Sequence, residues 1–248
     1  MIPLRYLKEF SISTWWPHST LLRRLQIPTG MKLFSHFGFR SEEFSLTGHL
    51  PERSPNFSNL SQTTEIKLCV CRFWQHLRLN GPGGDFHIFA HARNNSPSSP
   101  EDYKIFGSLS YQMGSTIRKL TISYPYIKPA QASAKVEECP IFRMLSAMNN
   151  LRTLVLVKCS ELHFFRALNP GKNRSNLLIC PTMEELAIFA TCNVDSLVRM
   201  EKNRASKGVK FSSITLRDPY WEQWRTKMFE LREYGTRVRF ADFGDYTI

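Results

Sequence analysis

His87 and His91 stand four residues apart and come closest to a metal-binding pair in this chain. Side chains of an extended segment alternate between faces, so both rings would share one face. A zinc site takes three or four protein ligands, and no third ligand follows at a suitable spacing. Cys69 and Cys71 would share a strand face in the same way. The six cysteines, Cys69, Cys71, Cys139, Cys159, Cys180 and Cys192, contain no CxxC pair and no Cys/His cluster of zinc spacing. They read as reduced, partly buried thiols of a cytoplasmic or nuclear protein. Gly81-Pro82-Gly83-Gly84 follows a strand-like run and opens no helix, so it reads as a turn and not as a phosphate cradle. Asp242 and Asp245 read as a solvated pair. No GxSxG, Walker loop or HExxH sequence occurs. The expectation is a protein that is not an enzyme, with no catalytic residue, no cofactor and no metal.

The elements that carry these residues must come from a real core. The chain has 248 residues, of which 42% are hydrophobic and 12% aromatic, a composition that argues against disorder. No run approaches the ~18 to 20 apolar residues of a membrane span. The charges in MIPLRYLKEF do not fit a secretory signal peptide. Without such a signal, the N-x-S sequons at Asn56, Asn59 and Asn173 read as chance matches. A net charge of +12 would suit an acidic partner or nucleic acid. The basic residues are dispersed, however, at Arg23 and Arg24, at Arg118 and Lys119, and from Arg199 to Lys210. No basic helix is interleaved with aromatics, so nucleic acid is not the expected partner.

A repeat organises the chain. Leu151-Arg-Thr-Leu154-Val-Leu156-Val-Lys-Cys159 fills every position of LxxLxLxxC. Leu154 and Leu156 are two apart and face one core from a strand, Leu151 enters from the preceding turn, and Cys159 marks the exit. The same LxxLxL spacing recurs in Ile117-Arg-Lys-Leu120-Thr-Ile122, Met183-Glu-Glu-Leu186-Ala-Ile188, Phe211-Ser-Ser-Ile214-Thr-Leu216 and Leu7-Lys-Glu-Phe10-Ser-Ile12. The fourth positions from Leu120 onward are 34, 32 and 28 residues apart, room for a strand and a full helix.

Helical spacing of apolar residues falls between these strands. Residues 18–26 place Leu21, Leu22 and Leu25 on one face, and 135–148 carry Val136, Ile141, Phe142, Leu145 and Met148. Residues 160–168 open with Ser160 as N-cap, and 193–206 open at Asn193 and close at Gly208. A last helix at about 221–233 precedes a strand at about 236–241. The middle reads as strands EIKLCV, QHLRLN and FHIFAHA, the last two forming a β-hairpin near 75–91. The pattern across 30–110 fits more than one topology. Polar loops at 51–63 and 93–101 break it. The chain reads as one domain over 1–248, with a candidate subdomain break within 93–101. The fold class expected is α/β: an irregular leucine-rich-repeat-like arrangement, mostly parallel, with helices on the outer side of the sheet.

Four segments in the last hundred residues resemble the C-terminal half of fungal F-box proteins of the basidiomycete type. They are NLRTLVLVKC (150–159), CPTMEELAIF (180–189), MEKNRASKGVKFSSITL (200–216) and FELREYGTRVRF (229–240). The resemblance implies a module that recognises target proteins for a cullin-based ubiquitin ligase and does no chemistry itself. The F-box, with its L-P-x-E-[IL] motif, is not found, because Met1 leads straight into a repeat strand. Docking on a Skp-type adaptor is therefore not expected of this chain alone. The alternatives are a stand-alone interaction scaffold or a basic nucleic-acid-binding protein. The target is expected on the concave face, formed by the residues between the repeat leucines. The residues expected to bind it are Arg118, Lys119, Thr121, Arg152, Thr153, Val155, Glu184, Glu185, Phe189 and Arg217. Trp15 and Trp16, after the first repeat strand, are expected to cover a core edge.

Overall fold

The computed structural model describes residues 2–3, 6–14, 25–26, 28–39, 62–70, 74–92, 114–124, 140–159, 161–170, 178–190, 192–217 and 221–241. The strands are β1 (Ile2–Pro3), β2 (Glu9–Thr14), β3 (Leu25–Gln26), β4 (Met31–Phe39), β5 (Glu65–Val70), β6 (Trp74–Gly81), β7 (Gly84–Ala92), β8 (Lys119–Ser123), β9 (Thr153–Val157), β10 (Glu185–Phe189), β11 (Ser213–Leu216) and β12 (Arg237–Phe240). The described helices are α1 (Pro140–Ala147), α2 (Glu161–Leu168), α3 (Val194–Ala205) and α4 (Trp221–Glu233). Ten strands form one sheet in the order β12-β11-β10-β9-β8-β5-β6-β7-β4-β2. Only β6 runs against its neighbours, so the protein is a mixed α/β fold with a mostly parallel sheet. No described helix is long and apolar enough to cross a membrane.

Every LxxLxL segment forms a strand, and its register is continuous across the sheet. One rung runs Phe10, Leu33, Phe86, Leu79, Ile66, Leu120, Leu154, Leu186, Ile214, Val238. The next runs Ile12, Ser35, Ile88, Leu77, Leu68, Ile122, Leu156, Ile188, Leu216, Phe240. The helices contribute Met144, Leu145, Phe164, Leu168, Leu197, Met200 and Leu231 to the same core. Successive helices pack on one another. Each fully buried leucine contributes about 1.5–3 kcal/mol.

The entry and exit of each repeat strand are fixed by hydrogen bonds. The Thr64 carbonyl accepts from the amides of Arg118 and Lys119, and the Arg118 carbonyl from those of Arg152 and Thr153. Arg152 and Glu184 continue the pattern towards β10 and β11. At the exit of β9, the Cys159 thiol donates to the Ile122 carbonyl at 3.1 Å and accepts from the Tyr124 amide at 3.3 Å. Cysteine at the end of LxxLxLxxC thus ties one strand exit to the next.

The hairpin forms as expected, with Gly81 opposite Gly84. Glycine is needed at both positions: a Cβ at Gly81 would run into the Gln62 carbonyl, and Gly84 combines φ of +141° with the Met31 carbonyl close by. Asn193 caps α3 by accepting from the Ser196 amide at 2.9 Å, and Gly208 follows with φ of +78°. The helix expected over 18–26 needs correcting. Leu25 and Gln26 form β3, which pairs in parallel with Ile2 and Pro3, and that pairing claims backbone groups a helix would have used internally. Residues 18–24 lie outside the described ones, as do 135–139 and Ser160. The loops at 51–61 and 93–101, with the subdomain break expected there, also lie outside them.

Candidate functional site

The second face of the sheet, opposite the leucine rungs, carries three rungs of its own. The first, at the strand starts, is polar: Glu9, Lys32, Asp85, Asn80, Glu65, Lys119, Thr153, Glu185, Ser213, Arg237. Neighbours on it are cross-paired. Lys119 Nζ lies 2.9 Å from Glu65 Oε1, and the Thr153 hydroxyl donates to Glu185 Oε2 at 3.1 Å.

Further along the strands this face closes in its C-terminal half. Val155, Val157, Ala187 and Phe189 form a small buried cluster with Ala241 packed against it. Thr121 and Ser123 are buried beside it. The ten residues expected to bind a partner therefore separate. Thr121, Val155 and Phe189 have 7%, 1% and 6% of their surface exposed and are withdrawn from contact. Lys119, Thr153 and Glu185 stand together on the polar rung. Arg217, half-buried, lies just past the end of β11, and its amide donates to the Ile188 carbonyl.

Arg118, Arg152 and Glu184 precede their strands. They lie at the sheet margin and not on the face, which the repeat spacing does not distinguish. Arg118 and Arg152 line an open cleft of about 460 Å³ with Thr64, Ser115, Asn150 and Thr182. Its wall is built by successive turns. Asn150 Nδ2 donates to the Ser115 carbonyl at 2.7 Å, and the Thr182 hydroxyl donates to the Asn149 carbonyl at 2.7 Å. Behind Thr182, the fully buried Arg204 of α3 donates to the carbonyls of Ile179 and Cys180 at 2.9 and 3.0 Å, its guanidinium 4.8 Å from the Phe211 ring. Glu201, one helical turn earlier, accepts from the Phe211 amide and the Thr236 hydroxyl. Burial pushes the Glu201 carboxyl up and the Arg204 guanidinium down. Burial also pushes the Cys180 thiol up to about 12, which leaves it a protonated, inert group.

The N-terminal half of the second face holds an arrangement that the spacing of single residues did not reveal. The rings of Phe34, His87, His76 and Phe89 line up across β4, β6 and β7. Their centroids are 4.8 Å apart for Phe34 and His87, 5.6 Å for His87 and His76, and 4.0 Å for His76 and Phe89. Asp85 accepts two bonds from Arg78, at 3.0 and 2.8 Å, and lies 3.1 Å from His87 Nε2. His76 is lowered to about 4, first by burial and then by the neighbouring His87, Arg78 and Lys67. Asp85 is held below its ordinary value because the bonds from Arg78 and His87 outweigh its burial. The alternation in QHLRLN and FHIFAHA could have flagged these rings as sharing a face. Which strands would adjoin could not be read. His87 thus serves as a partner of Asp85. The His91 side chain, Cys71, Asp242, Asp245, Trp15 and Trp16 lie outside the described residues. Among the described residues no group of three or more His, Cys, Asp or Glu is placed to hold a metal.

Comparison with known proteins finds no family model, no curated protein and no solved structure that matches this chain.

Proposed function

We propose that this chain is a leucine-rich-repeat-like recognition module that binds a partner protein. The face it uses is the polar rung at the strand starts of the second face, and the helices form the outer layer. The module works like the substrate-recognition region of an F-box subunit of a cullin-based ubiquitin ligase: it positions a target and does no chemistry. One observation carries the reading. The in-register strands β8 to β12 line up Lys119, Thr153, Glu185, Ser213 and Arg237 in one row. Strands are about 4.8 Å apart, so the row is ~19 Å long, a length that suits a protein surface of mixed charge better than a compact reaction centre. The resemblance of 150–240 to the F-box proteins supports the link to the ligase.

The test is affinity capture from fungal extract with the full chain, read by quantitative mass spectrometry, beside a Glu185→Arg/Arg237→Glu variant. Rim charges set encounter and register, so the variant is expected to lose a specific partner about tenfold or more. A partner set unchanged by the variant would refute binding through this row. Recovery of a Skp-type adaptor and a cullin would support the ligase role. A variant-sensitive partner without either would remove the ligase and leave the recognition module.

A further inference from the structure

Two cations of the second face are matched within it. Lys119 faces Glu65, and Arg78 is held by Asp85. Arg118 and Arg152 differ: both are exposed, and neither has a carboxylate partner among the described residues. They occupy equivalent positions of consecutive repeats, joined by the bond from the Arg152 amide to the Arg118 carbonyl, and they line the same cleft. The rest of its described lining consists of hydroxyls, amides and one proline, with no negative charge. Two like charges on neighbouring strands repel each other, and an anion placed between them would relieve both. Guanidinium forks suit the geometry of an oxyanion, which they hold bidentately. Ser115 and Thr64 add hydroxyls to the wall. The cleft of about 460 Å³ is within the range of small-molecule sites, ~300–1,000 Å³. It is roomier than a bare phosphate ion needs.

We infer that this cleft is a binding site for a small phosphate ester. The phosphoryl group sits between Arg118 and Arg152, and the polar remainder of the molecule lies against the neutral hydroxyls and amides. The site is distinct from the row proposed to meet a protein partner, and its occupancy does not depend on that partner.

The experiment titrates the full chain with inorganic phosphate and with glucose 6-phosphate at constant ionic strength, read by amide chemical shifts and calorimetry. Saturable binding of both is expected, tighter for the sugar phosphate, with shifts at residues 115–118 and 150–152. Charged hydrogen bonds of this kind are worth roughly tenfold or more in affinity. Arg118→Gln and Arg152→Gln should each weaken binding by about that factor. Arg239→Gln, an exposed arginine of β12 away from the cleft, should leave it unchanged. Arg118→Lys and Arg152→Lys keep the charge, lose the fork, and should fall between. Circular dichroism checks that each variant is folded. An equal response to succinate, no saturation at tens of millimolar, or wild-type affinity in a folded Arg118→Gln/Arg152→Gln variant would overturn the site.

Discussion

From β8 to β11 each strand follows an LxxLxL segment, β12 continues the register, and the described helices intervene from β8 onward. Across β2 and β4 to β7 the two apolar rungs continue, but chain order breaks where β5 adjoins β8 and where β7 adjoins β4, and β6 and β7 form a hairpin between β5 and β4. The second face changes with them. Beside β8 to β10 it closes over Val155, Val157, Ala187 and Phe189, whereas on β4, β6 and β7 it carries the row of His and Phe rings. In the C-terminal half Glu201 and Arg204 are buried behind the sheet, while Thr121 and Ser123 are buried on its second face. In the N-terminal half the half-buried His76, Asp85 and His87 stand on the second face, and buried Ser35 stands on the leucine rung. The same ladder of leucines can therefore be closed by nearest-neighbour repeats or by a long-range insertion, and the polar groups go where each solution leaves room.

The largest effect should come from breaking the C-terminal network. Arg204→Leu leaves the buried Ile179 and Cys180 carbonyls without their donor. Two buried acceptors left unmet cost about 1–3 kcal/mol each, to be read by urea unfolding.

The two halves should also answer pH with opposite signs. Glu201 is raised by burial, so between its ordinary 4.5 and its folded value the native state binds more protons than the unfolded chain. Its contribution to stability is complete below 4.5 and is lost as pH rises through the folded value. His76 is lowered from 6.5 to about 4. Its contribution is complete above 6.5 and is lost as pH falls towards 4. Because the ring is partly solvated, the effect is on the order of 1 kcal/mol and not the full shift. Unfolding curves across this range should show Glu201→Gln removing the loss on the rising side, and His76→Phe, which keeps a ring in the row, removing the loss on the falling side. A shared sign in both variants would contradict the contrast.

A smaller effect tests the weakest point of the N-terminal ladder. Ser35 occupies a leucine-type rung position between Ile12 and Ile88, 1% exposed, and its hydroxyl has no partner among the described residues. Ser35→Ala removes that unmet group and should stabilise the protein by about 0.5–1 kcal/mol, seen as a rise in the urea midpoint. A destabilised variant would mean that the hydroxyl is satisfied in solution.

The spacing of Leu120, Leu154, Leu186 and Ile214 was enough to place four strands, because a period of two on a strand and a recurrent turn leave little freedom in local conformation. Asn193 and Gly208 marked α3 for the same local reason. EIKLCV, QHLRLN and FHIFAHA were legible as strands, and the glycine turn as a hairpin, but β4 and the place of the hairpin between β5 and β4 were not. Of the expected binding residues, the alternation rule put Lys119, Thr153 and Glu185 on one face. It did not separate Arg118 and Arg152 at the margin from Val155 and Phe189, which are buried farther along.

The sequence alone determined the repeat strands, the β6–β7 hairpin, the bounds of α3, the apolar face of each repeat and a strongly basic charge balance. These follow from local periodicity and from counting, which need no knowledge of neighbours. Tertiary structure decided the strand order, the alignment of His76, His87, Phe34 and Phe89, the joining of Arg118 to Arg152 in one cleft, and the burial of Arg204 against Phe211. Each of these brings together residues from different elements. Only the packing of the whole sheet fixes such pairs, because alternation within one strand sets the direction of a side chain but not what it meets.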